Sequence, residues 1–375
     1  MKIYKISNNS DFNALCAKIA PHKMGEKIMK DKAALHYFYI KDARIPALNI
    51  LKQDALSVGA ELISPKNTIL GGEGRQNAVL IANEKQIKAL AKKEKLQDFG
   101  LKELGEFLHF SFKKPENSLI MGVVNFTDDS FFSASRTSKN DLVKRAKELI
   151  QKGANLLDFG VVSTRPNSAY IGAKAEFSKV KEVVDILYEN KLYESCELSL
   201  DSFDFSSAKY ALDHGFKIIN DISANDELAK LCASFGSKYI FMHGGIIGSS
   251  EAVNGDIMEI VDEFFEQKIQ SFKKLGLKEE QMILDVGVGF GKSNEQSLRL
   301  IKNLENFLRF DCDLLVGASR KSIVNTYFTS SADERLAGTL LLHQKALENG
   351  AKYIRAHDVY EHSQMLALHN AYKCL

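Results

Sequence analysis

The chain carries almost no net charge: 50 basic against 48 acidic side chains, a formal +2 over 375 residues. Bulk electrostatics therefore give no reason to expect a nucleic-acid or membrane partner, and any anion site has to come from local placement. Cysteine is scarce as well. The five cysteines (Cys16, Cys196, Cys232, Cys312, Cys374) are scattered, odd in number and without a C-x-x-C pair. That argues against a disulfide scaffold or a zinc ribbon and for a reducing compartment. No apolar run reaches the roughly 18 residues needed to span a bilayer. The opening "MKIYKISNNSDF" has no apolar stretch of the kind a signal peptide needs. A cytosolic protein is expected. Low-complexity segments are missing too, and 45% apolar with 26% charged residues is ordinary globular composition.

From residue 116 onward a rhythm is present. Short apolar runs alternate with longer amphipathic ones, eight times over. The strand candidates are "SLIMGVVNF", "NLLDFGVV", "ELSLDSF", "KIINDIS", "KYIFMHG", "MILDVGVGF", "DLLVGAS" and "KYIRAHDV". Helical stretches such as "NDLVKRAKELIQKG", "SSAKYALDHG", "EQSLRLIKNLENFL" and "ERLAGTLLLHQKALENG" follow them. Several close on glycine (Gly153, Gly215, Gly236, Gly350), where a left-handed cap is wanted. Strict β/α alternation gives a parallel sheet. Eight units in about 250 residues match a closed (β/α)8 TIM barrel better than an open doubly wound sheet.

Residues 1–115 do not share this rhythm and are expected to form a small α/β domain. They hold a strand candidate, "ALHYFYIKDA", two helical stretches, "PALNILKQDALSVGAEL" and "NEKQIKALAKKEKLQ", and a turn, "ILGGEGRQ". The segment "AKKEKLQ" reads as a solvated helix face. No chemistry stands out in this domain.

Barrel enzymes place their chemistry at the C-terminal mouth of the strands. The eight strand ends deliver, in order, Asn125; Asp158 and then Ser163, Thr164, Arg165 and Pro166; Asp201; Asn220 and Asp221; Met242 and His243; Asp285; "SRKS"; and Arg355, His357 and Asp358. One buried Asp is usually a structural hydrogen-bonding residue. So many polar groups converging on one mouth need either each other or a ligand. Asp201, Asn220 and Asp285 suit the donor-rich edge of a heterocycle. Lys321 and Arg355 suit ring carbonyls or stacking on a flat ring. Arg165, Ser322, His357 and Asn125 suit an anion, with room for a divalent metal bridging that anion to Asn125. The set describes a flat heterocycle attached to a phosphate.

Two motifs are refused. "GVGFGKS" resembles a phosphate loop, but the glycine that pattern requires is Val286. "MHGG" offers one histidine without a second ligand nearby, so it is not read as zinc.

Taken together, "MGVVNFTDDSF", "STRP", "LSLDSF", "IINDIS", "MH", "ILDVGVGFGK", "GASRKS", "ERLAGT" and "IRAHDV" resemble, in order and spacing, the bacterial dihydropteroate synthases. The resemblance covers residues 116–375. It implies a folate-pathway transferase that joins a dihydropterin pyrophosphate to p-aminobenzoate with Mg²⁺, pyrophosphate leaving before the arylamine attacks a pterin-methyl cation. It implies a pterin pocket of Asp201, Asn220, Met242, Asp285, Lys321 and Arg355. Asn125, Arg165, Ser322, Arg355 and His357 are implied on the pyrophosphate side, with Asn125 toward the metal. Thr164, Pro166, Phe290, Lys321 and Ser322 are implied on the p-aminobenzoate side, where sulfonamides compete. Lys321, Asp201, Arg165 and His357 carry the catalytic roles in this reading, and Arg320 a structural ion pair or a place at the rim. Loops at about 126–138 and 163–176 are expected to close over the substrates. A homodimer is implied.

The chain departs from the family pattern at Asp128, where proline is usual, at Val161 and Val162, where Gly-Glu is usual, and at Val286, again in place of proline. Loss of a proline loosens the first loop. Two other readings stay open. One is a non-catalytic pterin-binding homologue, which the departures allow. The other is a pterin-dependent methyltransferase, which would not need "STRP" or "SRKS".

Overall fold

The computed structural model describes residues 1–8, 10–126, 139–161, 172–244 and 253–373. The chain divides into two compact units, Met1–Ser111 with the chain's last residues from Asn370, and Phe112–His369.

The first unit holds a three-stranded antiparallel sheet in the order β1 (Leu35–Arg44), β3 (Arg75–Asn83), β2 (Glu61–Ile63). Helices Ile45–Ser57 and Glu84–Glu94 follow strands β1 and β3 directly. Pro46 sits in the first turn of the former, where its missing N–H costs nothing. Asn83 and Gln86 cap the latter reciprocally, at 3.1 and 2.8 Å. Leu48, Leu51, Leu62, Leu80 and Leu90 form the core. Two expectations need correcting. The helix expected through "GAEL" stops at Ser57, and Glu61–Ile63 is a strand paired with β3. Strand β3 itself went unread, although "NAVLIAN" shows strand-like alternation in burial.

This unit buries one carboxylate without a hydrogen-bond partner for either oxygen, that of Glu94. Burial, with the nearby Asp54 charge, pushes its pKa up to about 7. A raised folded pKa means stability that is complete below the unfolded value and lost as pH rises through about 7. Glu94→Met is therefore expected to stabilise this unit by about 2–3 kcal/mol at pH 8 and by much less at pH 5. Urea unfolding at the two pH values checks this.

The second unit is a closed barrel of eight parallel strands: β4 (Leu119–Asn125), β5 (Leu156–Gly160), β6 (Glu197–Asp201), β7 (Ile218–Asp221), β8 (Lys238–Met242), β9 (Met282–Asp285), β10 (Asp313–Val316) and β11 (Tyr353–Ala356), which returns to β4. The expected glycines do take positive φ, and Gly236 is the left-handed cap of helix Asp226–Phe235. The helix read through "EQSLRLIKNLENFL" is interrupted: an α-helix covers Asn294–Lys302 and a 3-10 segment covers Leu304–Phe310.

Strand side chains alternate inward and outward. Met121, Leu156, Ile218, Ile240, Ile283, Leu315 and Tyr353 form an apolar cluster of their own, distinct from the larger core that includes the helices. Two residues further along the same strands lie Val123, Asp158, Asn220, Met242, Asp285, Gly317 and Arg355. The period of two thus puts a polar layer directly above an apolar plug.

Candidate active site

Asn125, Gly160, Asp201 and Asn220 follow one another across the sheet register, and Met242 pairs with Asp285. A methyl group on Gly160 would lie 3.2 Å from Asn125 Oδ1 and 3.7 Å from Asp201 Oδ2, so this position leaves room between the two polar side chains.

Asp158 organises the floor. It is fully buried and accepts from Ser199 Oγ at 2.6 Å, Asn220 Nδ2 at 3.0 Å and Arg355 Nε at 2.7 Å. Arg355 also donates from Nη2 to Asp201 at 2.8 Å. Two carboxylates therefore share one guanidinium. Burial raises the Asp201 pKa; Arg355 opposes this, and the Asp158 charge adds to it. Since Asn220 spends its amide N–H on Asp158, its carbonyl oxygen remains as an acceptor. Asp285 accepts the Gly287 N–H at 2.8 Å. Burial raises its pKa as well, against the pull of Lys321.

Lys321 lies in the turn after β10. Its Nζ donates to the Val288 carbonyl and sits 4.4 Å from the centre of the Phe290 ring. Burial lowers its pKa to about 8, with Asp285 opposing. Ser322 follows it, exposed. His357 stands just past β11, with Nδ1 2.9 Å from Ser319 Oγ, and that oxygen also accepts the His357 backbone N–H at 3.2 Å. Arg320 forms the expected ion pair: two bonds to Asp358, at 3.1 and 2.6 Å, and one to Asp333 at 2.9 Å.

The structure thus gathers Asp201, Asn220, Met242, Asp285 and Arg355 on inner strand ends, with Asn125 at the end of β4 and Phe290, Lys321, Ser322 and His357 in the segments after β9, β10 and β11. Thr164, Arg165 and Pro166 lie outside the described residues, as do Ser163, Asp128, Val162 and residues 127–138 and 163–171 of the two expected closing loops, while the last part of the second, from Ala173, is helical. Val161 and Val286 are buried in the apolar core. Among the described residues no cluster of three or more His, Cys, Asp or Glu could cage a metal. Asn125 supplies a single amide oxygen. That fits a Mg²⁺ whose remaining ligands are water and substrate phosphate oxygens, and does not fit an all-protein site.

One residue with no role read from the sequence also contributes here. Lys292 is buried, and its Nζ donates to the His243 carbonyl at 2.6 Å and the Phe290 carbonyl at 3.0 Å. It ties the end of β8 to the loop that carries Phe290. Gly287, at φ +66°, lets the strands close there: a Cβ would lie 2.0 Å from the His243 oxygen. Burial lowers the Lys292 pKa to about 7, Asp285 opposing and Lys321 adding. A depressed lysine pKa withholds stability at low pH. This group's contribution therefore grows as pH rises from about 7 toward the unfolded lysine value of roughly 10.4. Lys292→Met strips a donor from both carbonyls. In the arylamine transfer that the resemblance implies, it is expected to lower kcat/KM about tenfold while leaving free-pterin affinity within about twofold. Steady-state kinetics beside pterin calorimetry check this. His243 remains neutral: burial, with the Lys292 charge, takes its pKa to about 4, and its Nδ1 is buried without a partner.

Residues 121–357 match the family model described as pterin binding enzyme. A bifunctional dihydropteroate synthase/dihydropteroate reductase of Helicobacter pylori is 36% identical over 98% of this chain and 97% of its own length. A dihydropteroate synthase of Clostridium beijerinckii is 32% identical, covering 68% of this chain and 93% of its own. A solved Clostridium difficile dihydropteroate synthase, crystallised in the presence of pteroic acid, superposes with a TM-score of 0.64 at 28% identity over 70% of this chain and 99% of its own.

Proposed function

The chain belongs to the pterin-binding enzyme family, and from that premise we propose that it is a dihydropteroate synthase, a transferase joining 6-hydroxymethyl-7,8-dihydropterin pyrophosphate to p-aminobenzoate. The observation that carries this reading is the polar floor: Asp201 and Asn220 present acceptors on neighbouring strands and Asp285 another beside Met242, with Arg355 held against Asp158 and Asp201.

In this mechanism the pterin ring lays its N–H groups on Asp285, Asp201 and the Asn220 carbonyl, with Met242 against its face and Lys321 and Arg355 at its carbonyl side. Asn125, Arg165, Ser322, Arg355 and His357 hold the pyrophosphate. His357, whose Nδ1 lies 2.9 Å from Ser319 Oγ, donates to the anion from Nε2 in the tautomer that carries its proton there. Asn125 would hold a Mg²⁺, which when bound would supply positive charge to the departing pyrophosphate. The C–O bond to pyrophosphate breaks and its electron pair leaves with the anion. The pterin-methyl cation forms beside the Asp201 carboxylate, which stabilises it. Thr164, Pro166, Phe290, Lys321 and Ser322 hold p-aminobenzoate so that its nitrogen lone pair forms the C–N bond, and the displaced proton passes to water. The arylamine is already a free base at neutral pH, so positioning outweighs base catalysis. Mass-spectrometric detection of dihydropteroate from the two substrates, with competition by a sulfonamide, tests the reading. Pterin binding without product would establish the non-catalytic homologue instead.

A second activity is favoured by one observation. The Helicobacter relative, alignable over both units, is named as a reductase too, while the Clostridium beijerinckii synthase covers only 68% of this chain. Reduction of dihydropteroate by a supplied hydride donor, with and without residues 1–111, tests for it. We also propose a homodimer, in line with Leu341, Tyr360 and Leu368 exposed on the last two barrel helices, and a cytosolic location, in line with the scattered free thiols. No described helix is long and apolar enough to cross a membrane.

A further inference from the structure

Behind the turn that carries Lys321 and Ser322 lie two histidines, His343 on helix Leu336–Glu348 and His362 on helix Val359–Lys373. Both are fully buried. The Ala318 backbone N–H points at His343 Nε2 at 2.9 Å. An amide N–H can only donate, so Nε2 carries no proton. The proton of a neutral His343 must then be on Nδ1. Nδ1 lies 2.7 Å from His362 Nε2, which has to accept it. His362 therefore carries its own proton on Nδ1, 2.6 Å from the Asp358 carbonyl oxygen, which only accepts. The line starts at an obligatory donor and ends at an obligatory acceptor, so one arrangement of neutral tautomers satisfies every link. Burial keeps both rings neutral, and for His343 the Lys321 charge acts in the same direction.

The line closes on itself. The Asp358 carboxylate takes two bonds from Arg320, two residues beyond Ala318. Arg320 has φ +57°, costly for a residue with a side chain. Its N–H donates to Thr339 Oγ1 at 3.0 Å and its carbonyl accepts from Arg335 at 3.1 Å. The turn before Lys321 is thus held in a strained form from the helix side, away from the substrates.

We propose that His343 and His362 are positioning residues for the synthase reaction: a proton-ordered pair that fixes the turn presenting Lys321 and Ser322 to the arylamine. The catalytic half of this rests on the synthase reading above; the proton order does not.

The test has two parts. Long-range ¹H–¹⁵N correlation of histidine-labelled protein at pH 7.5, assigned with the variants below, is expected to show both rings protonated at Nδ1 alone. A charged ring, or His343 protonated at Nε2, overturns the pair whatever the enzyme does. In kinetics, His343→Gln sets an amide oxygen near the place of Nε2 and is expected to stay within about threefold of wild type. His343→Leu leaves the Ala318 N–H buried and unpaired, and is expected to lose at least about tenfold in kcat/KM for p-aminobenzoate with free-pterin affinity within about twofold. A purely structural role would reduce both together. Should His343→Leu melt below the assay temperature, His362→Ala takes its place, with an expected loss of about threefold and His343 still protonated at Nδ1, because the Ala318 N–H alone keeps Nε2 bare. Wild-type turnover with both apolar variants at full rate overturns the positioning role. A wild type without turnover refutes the synthase reading and leaves the tautomers to decide the pair.

Discussion

Asp285→Asn is expected to lose pterin affinity by about 30- to 1,000-fold, the equivalent of roughly 2–4 kcal/mol. One carboxylate oxygen already takes the Gly287 N–H. An asparagine that keeps its carbonyl on that N–H must turn its NH2 toward the pocket, where the ring presents donors. If it turns the other way, its NH2 faces the Gly287 N–H. Either orientation sets donor against donor. Calorimetry of a free pterin with wild type and variant reads the loss directly, and equal affinities would refute the assignment of Asp285. Because burial raises this carboxyl group's pKa, wild-type affinity is itself expected to weaken as pH falls and the acid form, a single donor, replaces the acceptor.

Arg355→Met is expected to reach further, because the guanidinium serves the fold as well as the site. Its removal leaves Asp158 and Asp201, both buried, without their shared cation. Breaking a buried pair in this way costs about 3–5 kcal/mol. The deficit has a predictable pH dependence. Burial already holds the folded pKa of Asp201 above the unfolded value of roughly 3.9, and loss of the opposing guanidinium raises it further. Stability is then complete below that value and lost as pH rises through the raised one, so the loss at pH 8 exceeds the loss at pH 5. Urea midpoints at the two pH values measure it. Activity is expected to fall by more than about 100-fold at either pH, since the Asp201 side of the pocket loses its geometry. An equal deficit at both pH values would mean that the two carboxylates do not depend on Arg355.

The barrel and the outline of its mouth were readable because both rest on local periodicity. A period of two along each strand, with a polar residue at its end, identifies Asp201, Asn220, Asp285 and Arg355 without any knowledge of distance. What escaped depends on partners far apart in the chain. Asp158 was noticed, but its role comes from Arg355, 197 residues away. Lys292 lies inside the motif refused as a phosphate loop, and only the folded chain shows that it spans two carbonyls. His343 and His362 sit in helical runs where a histidine draws no notice; the available signal was its place among leucines in "GTLLLHQKAL". In the first unit, Glu61–Ile63 was absorbed into a helix because Glu and Leu favour one, and pairing with β3 overrode that preference.

The most direct test is pyrophosphate release by the purified full-length protein with dihydropterin pyrophosphate and Mg²⁺, p-aminobenzoate present or absent. Release that requires p-aminobenzoate and is blocked by a sulfonamide is the predicted result. No release despite calorimetric pterin binding would contradict it, leaving a barrel that binds the pterin and does not turn it over.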